Sequence, residues 1–282
     1  MVKTTQEKVN DLISRLHQDE HIDDMTKNGF YKLPIRLEYQ YSTHLQKFTN
    51  LNRLVDPSYR VVRALLNEYL HDLWIHCSSL SHRNNNPLLR ISQDTTDFIS
   101  FIEKTKIGKD TILVSMDVFS LYTNIPQEEG TEIVCKAYNS FHNCNTPIPT
   151  RFLREMLGLI LHENSFQSNG ENYLQTHGTA MGTKMAVSFA NIFMAKIETT
   201  LIQQSETMPK EWRRYIDDIF SLWDSDKKDA DQFIEQAYKF HPTIKFTAEI
   251  SENEITFLDT VVFKGERFKN ESILDIKTHQ TY

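Results

Sequence analysis

The run Arg214-Tyr215-Ile216-Asp217-Asp218-Ile219-Phe220 constrains this chain more than any other stretch. Two adjacent carboxylates sit inside an apolar, aromatic segment that continues to Ser221-Leu222-Trp223. Aromatic and β-branched residues favour strands, and Asp-Asp favours a tight turn. The pattern predicts a β-hairpin with the carboxylates at its tip. Two acids in a solvated turn specify no chemistry by themselves. They become informative when a third acid arrives from elsewhere.

Asp117 supplies it. Thr111-Ile112-Leu113-Val114-Ser115-Met116 reads as a buried strand ending on Asp117. An antiparallel sheet pairing that strand with the hairpin would place the three carboxylates at one edge. Converging hard oxygen ligands suit Mg²⁺, which takes a few carboxylates and completes its shell with water and phosphate. Two such ions about 4 Å apart can activate a hydroxyl and stabilise a leaving pyrophosphate. The competing account is that Asp117 closes a strand or caps the helix region near Asn124.

The remaining elements follow in order. Residues 1–27 read as a polar amphipathic helix, with Val9, Leu12, Ile13 and Leu16 at helical spacing and Asn28-Gly29 breaking it. After a stop signal at Asp56-Pro57, helical periodicity runs to Leu73; Arg60 and Arg63 read as its solvated face. His82 to Pro87 reads as an exposed loop, and Asp94-Thr95-Thr96-Asp97 as the cap of a short helix, Phe98 to Lys104. Helices are predicted from Asn124-Ile125-Pro126 through Tyr138, over Arg151 to Asn164, Met185 to Ile202 and Asp229 to Phe240. A hairpin is expected over Ser165 to Thr176, turning at Asn169-Gly170, and strands over Ile244 to Ile250, Ile255 to Phe263 and Ile273 to Lys277. This order indicates an α+β fold with an antiparallel sheet.

Composition narrows the classes. With 282 residues, 39% apolar and 24% charged, the chain has the make-up of a soluble globular protein. No run approaches the roughly eighteen apolar residues of a membrane span, and the N-terminus is not a signal peptide. Cys77, Cys135 and Cys144 form no CxxC pair, which suits a reducing compartment and argues against disulfides. His71, His76, Cys77 and His82 fit no zinc spacing and read as solvated loop residues. The net charge of −7 runs against the basic footprint of nucleic-acid binders.

From Asp94 onward the chain resembles the reverse transcriptases of Penelope-like retroelements. The resemblance rests on DTTDF (94–98), SMDVFSLYTNIPQEEG (115–130), HGTAMGTKMAVSFANIF (177–193), RYIDDIF (214–220), HPTIKFTAE (241–249) and ITFLDT (255–260), in matching order and spacing. It implies a right-hand polymerase palm over 111–282, preceded by an N-terminal helical region or degenerate fingers over 1–110. It implies Asp117, Asp217 and Asp218 as catalytic residues that hold two Mg²⁺, with Mn²⁺ as substitute, alongside the Val118 carbonyl. Tyr122 resembles the gate under the sugar, and Gly178, Met181, Gly182 and Lys184 the loop that approaches nucleotide and template. Lys245 is similar to the lysine near the leaving pyrophosphate. RNA template, DNA primer, deoxynucleoside triphosphates and a nuclear location are implied with them.

Read from the residues alone, Tyr122 is a core aromatic, Lys245 a solvated strand charge, and the glycines ordinary loop flexibility. Arg213 and Arg214 either contact phosphates or solvate the hairpin's edge. The chain also departs from the family. Only Phe30-Tyr31-Lys32-Leu33-Pro34 is similar to the start of the family's basic fingers segment, and position 187 is Val in place of Pro. The sequence reaches Tyr282 before any thumb or GIY-YIG endonuclease, so the isolated chain is expected to be a poor polymerase. The alternatives are a catalytically inactive retroelement fragment, a two-metal nuclease, and a non-enzymatic nucleic-acid-binding module.

Overall fold

Thr4 opens the first helix: its hydroxyl accepts from the Glu7 N–H, and the Glu7 carboxylate accepts from the Thr4 N–H. That capping box satisfies backbone donors the helix cannot pair internally. The computed structural model describes residues 4–22, 57–83, 89–92, 94–181 and 184–278. Contacts divide the chain into two compact units, one of Met1–His76 with Tyr122–Phe193, the other of Cys77–Leu121 with Met194–Tyr282. The units interleave along the sequence, each built from two separate stretches.

In chain order the elements begin with α1 (Thr5–Gln18), α2 (Pro57–Arg83), β1 (Leu89–Ile91), α3 (Thr95–Ile102) and β2 (Ile112–Val118). Next come α4 (Leu121–Asn124), α5 (Gln127–Phe141), α6 (Thr150–His162), β3 (Ser165–Ser168), β4 (Glu171–Leu174) and α7 (Lys184–Gln204). Then follow β5 (Glu211–Tyr215), β6 (Asp218–Trp223), α8 (Lys227–Phe240), β7 (Phe246–Ser251), β8 (Glu254–Phe257), β9 (Thr260–Phe263), α9 (Glu266–Glu271) and β10 (Asp275–Thr278).

Several expectations need correction. Pro57, half of the stop signal read at Asp56-Pro57, is itself the first residue of α2, because a proline at the first helical position gives up an N–H the helix would leave unpaired anyway. The same helix runs on through His82 and Arg83, so the loop expected there starts no earlier than residue 84, and 84–88 lie outside the described residues. His71, His76, Cys77 and His82 are therefore helical, not loop residues. The first helix ends at Gln18, and the Asn28-Gly29 break and 30–34 lie outside the described residues. The single strand expected over Ile255 to Phe263 is a hairpin, β8–β9, turning at Leu258 with φ 51°. Against the expectation of no span-like run, Met185–Gln204 is long and apolar enough to cross a membrane; 72% of that window is buried inside the protein, as in a core helix.

In the first unit α1 lays Val9, Leu12, Ile13 and Leu16 inward, and Arg15 on α1 pairs with Glu155 on α6. The β3–β4 hairpin turns at Asn169 (φ 51°) and Gly170 (φ 83°), the positive φ pair of a type I′ turn.

In the second unit a five-stranded sheet has the order β1-β5-β6-β2-β7. It is antiparallel except for β1, which joins β5 in parallel and which the sequence did not announce. One face carries Leu113, Phe220 and Leu222 into a cluster with Phe98, Phe101 and Ile102 of α3, Phe257 of β8, Val262 of β9 and Leu274. The other carries Trp212 and Trp223 against Phe233 of α8, at ring centroid distances of 5.6 and 5.1 Å. The sheet is therefore covered on both faces.

Candidate active site

The register of the sheet builds the site. Antiparallel pairing of β2 with β6 sets Leu113 opposite Leu222, Ser115 opposite Phe220, and Asp117 opposite Asp218. Side chains alternate along a strand, so these residues share one face, apolar at one end and acidic at the other. Asp217 occupies the turn between β5 and β6, next to Ile216 with φ 54°. The Val118 N–H donates to the Asp217 carbonyl at 3.1 Å, tying the turn to the end of β2.

Asp117 and Asp218 feel their acidic neighbours. Burial, then the Asp217 and Asp117 charges, raises the Asp218 carboxyl to about 6. Burial, then the Asp217 charge, raises Asp117 as well. A concentration of hard oxygens whose negative charge is uncomfortable is the donor set a divalent cation fits. Among the described residues, however, no group of three His, Cys, Asp or Glu side chains is close enough to hold an ion on protein ligands alone. The described side chains form no closed cage; what favours an ion is the chemistry of the donors, since Mg²⁺ takes a few carboxylate oxygens and completes its shell with water or phosphate. A cleft of about 500 Å³ opens beside Asp218, lined also by Asp94, Ser115, Tyr215, Thr256 and Leu258.

Lys245 lies in the same unit. Its carbonyl accepts from the Phe119 N–H at 2.8 Å, just beyond the end of β2, while its ammonium donates to the His241 carbonyl at 2.9 Å.

Tyr122, Gly178, Met181 and Lys184 belong to the other unit. Tyr122 is half-buried, short of the full burial of a core aromatic. Its carbonyl accepts from the Thr179 N–H at 2.7 Å. Gly178 has φ 67°, and a Cβ there would lie 2.2 Å from the Tyr122 carbonyl oxygen and 2.5 Å from the Thr123 Cα. The close backbone approach that Gly178 permits in this structure is thus to the Tyr122–Thr123 segment. The buried Gln127 side chain secures it, donating to the Gly178 carbonyl at 2.9 Å and the Leu161 carbonyl at 3.1 Å. Met181 is 69% exposed, Gly182 lies outside the described residues, and Lys184 opens α7.

Residues 45–258, more than half of the chain, match the family described as Reverse transcriptase (RNA-dependent DNA polymerase). The chain belongs to the reverse transcriptase family. It is therefore a member of a nucleotidyltransferase family, and its α+β fold is that of a polymerase palm. The solved structures agree on the fold. Telomerase from Candida albicans, in complex with a TWJ fragment of telomeric RNA, superposes with a TM-score of 0.56 at 12% identity, over 82% of this chain and 41% of that one. Apo telomerase from Candida tropicalis, truncated from its C-terminal domain, gives 0.50 at 14%, over 83% and 46%. The BmCPV RNA-dependent RNA polymerase at its quiescent state gives 0.53 at 12%, over 74% and 20%. The chain thus spans less than half the length of each. No curated protein matches it.

Two arginines of this reverse transcriptase chain stand apart from the sequence reading. Arg213 and Arg214 do not solvate the hairpin's edge: they are 6% and 0% exposed. Arg213 lies over the Phe101 ring, 3.9 Å from its centroid. Arg214 Nε donates to Glu198 Oε2 at 2.9 Å, and Trp212 Nε1 donates to Glu198 Oε1 at 2.9 Å. Glu198 was missed by sequence reasoning. The signal was present, because an acid inside an apolar helix needs a buried partner.

Proposed function

We propose that this chain carries the palm of a Penelope-like reverse transcriptase, with Asp117, Asp217 and Asp218 as its catalytic acids. The observation that carries the reading is the pairing of Asp117 with Asp218 across β2 and β6, with Asp217 in the adjoining turn. The family match and the motifs of residues 94–260 support it.

The three carboxylates, with the Val118 carbonyl, would hold two divalent ions, Mg²⁺ or Mn²⁺. When bound, the ions supply charge stabilisation at the attacking and leaving oxygens of phosphoryl transfer. Asp117 and Asp218 are poised to bind a cation because each carboxylate gains from a neighbouring positive charge. Tyr122 would lie under the sugar and exclude a 2′-hydroxyl, held by the Gly178 contact to its backbone. Gly178, Met181, Gly182 and Lys184 would meet nucleotide and template. Lys245 would serve the pyrophosphate by exchanging its bond to the His241 carbonyl. The substrates in this reading are an RNA template, a DNA primer and deoxynucleoside triphosphates, and the place of action is the nucleus.

The reading is tested by titrating Mn²⁺ into the purified chain and following thermal unfolding. An ion that binds only the folded state stabilises it, so the melting temperature should rise, and rise less in Asp217→Asn. Equal responses would sink the shared ion site. Template-directed primer extension lost in the same variant would identify a polymerase, whereas strand cleavage lost in that variant would identify a nuclease.

A further inference from the structure

Asp217 sits between two peptide groups that are both held from outside the turn. The Ile216 carbonyl accepts from Arg214 Nη1 at 2.8 Å. The Asp217 carbonyl accepts from the Val118 N–H at 3.1 Å. These carbonyls belong to the two rigid planes that flank the Asp217 Cα, and a residue has only two soft backbone dihedrals. Holding both planes therefore fixes the Asp217 Cα–Cβ bond, the direction in which the side chain leaves the backbone.

The hold is needed, because Ile216 has φ 54°, a conformation β-branched residues adopt only when their surroundings enforce it. The donor that enforces it cannot swing away. The Arg214 side chain has no exposed surface, and Glu198, 3% exposed, accepts from its Nε and from Trp212 Nε1. The rigid guanidinium fork reaches two acceptors from two different nitrogens, Nε to Glu198 on α7 and Nη1 to the turn, a fixed spacing that the compact ammonium of a lysine does not reproduce.

We propose that Glu198 and Arg214 are positioning residues for Asp217: their buried ion pair holds the Ile216 carbonyl and so aims the Asp217 carboxylate. One of the two readouts below rests on the reading of Asp217 as an ion ligand; the other does not.

Two variants carry the test. Arg214→Lys keeps the charge but loses the fork. Glu198→Leu with Arg214→Met replaces the whole pair by apolar residues, a change buried ion pairs often tolerate without loss of stability. The first readout is hydrogen exchange of the metal-free protein, resolved by peptide. Positioning predicts faster exchange over 214–218 in both variants, with the β8–β9 hairpin protected as in the wild type. The second readout is Mn²⁺ affinity from thermal shift, expected to fall about tenfold, as when the groups orienting a metal ligand are removed.

Turn protection that stays at the wild-type level in both variants would overturn the proposal. So would exchange that rises evenly across the unit, which marks a merely structural pair. If wild type and Asp217→Asn respond to Mn²⁺ alike, the ion reading of Asp217 fails, and hydrogen exchange alone still decides whether the pair holds the turn.

Discussion

Asp117 and Asp218 stand directly opposite one another in the β2–β6 ladder, and both carboxyls are raised from their ordinary range by burial and by neighbouring carboxylates. For Asp218 the rise is from 3.8 to about 6. Between those values the folded chain holds a proton that the unfolded chain has released. The stability associated with this group is therefore present below about pH 4 and lost as pH rises through about 6. In EDTA at neutral pH, Asp218→Asn should be more stable than wild type by roughly 1–2 kcal/mol. The full shift converts to about 3 kcal/mol, but the group is half-exposed and solvent screens it. Urea unfolding across this pH range checks the sign, and a gain that persists unchanged at about pH 4 would refute the cause.

Gly178→Ala should be far more damaging than Gly170→Ala, although both glycines have positive φ. A Cβ at Gly178 would meet the Tyr122 carbonyl oxygen at 2.2 Å, whereas nothing lies within 4 Å of one at Gly170. Gly170→Ala should cost about 1 kcal/mol for the left-handed backbone alone. Gly178→Ala should cost at least roughly 3 kcal/mol, because the clash is with main chain that must move. Chemical denaturation of the two variants measures the difference; equal losses would show that the contact to Tyr122 and Thr123 is not a constraint.

Helix α3 should be held by its buried face more than by its cap. Phe98 is fully buried, with its ring centroid 4.5 Å from that of Phe257 and 5.1 Å from that of Phe220. Phe98→Ala should cost roughly 3–5 kcal/mol. The Asp94 carboxylate accepts from the Asp97 N–H at 2.8 Å, and Asp94→Ala should cost about 1 kcal/mol. A reversed order in denaturation experiments would mean that the aromatic cluster is not the core of this unit.

Tyr122→Val should relax sugar choice if Tyr122 is the gate. In primer extension with competing nucleotides by a version of the chain supplied with fingers and thumb, ribonucleotide incorporation relative to deoxynucleotide should rise by roughly tenfold to a hundredfold. Unchanged discrimination in an active variant would return Tyr122 to the role of a packing residue.

The carboxylate hairpin, the strand ending in Asp117-Val118 and the amphipathic helices were legible in the sequence, because their signals are local. Alternation between faces and helical spacing need only a window of neighbouring residues. Local periodicity says which side of an element is apolar; it does not say what covers the other side. The burial of Arg213 and Arg214 therefore came from tertiary structure, since α3 and α8 cover opposite faces of one sheet and Glu198 approaches from α7. The short β1 carries no period of its own and exists through its ladder with β5. Leu258 turns a hairpin without glycine or asparagine, because pairing of β8 with β9 enforces its positive φ. The sequence by itself determined that one acid would end a strand and two would sit at a hairpin tip. Only the hydrogen-bonded register, which joins residues a hundred positions apart, decided that Asp117 faces Asp218.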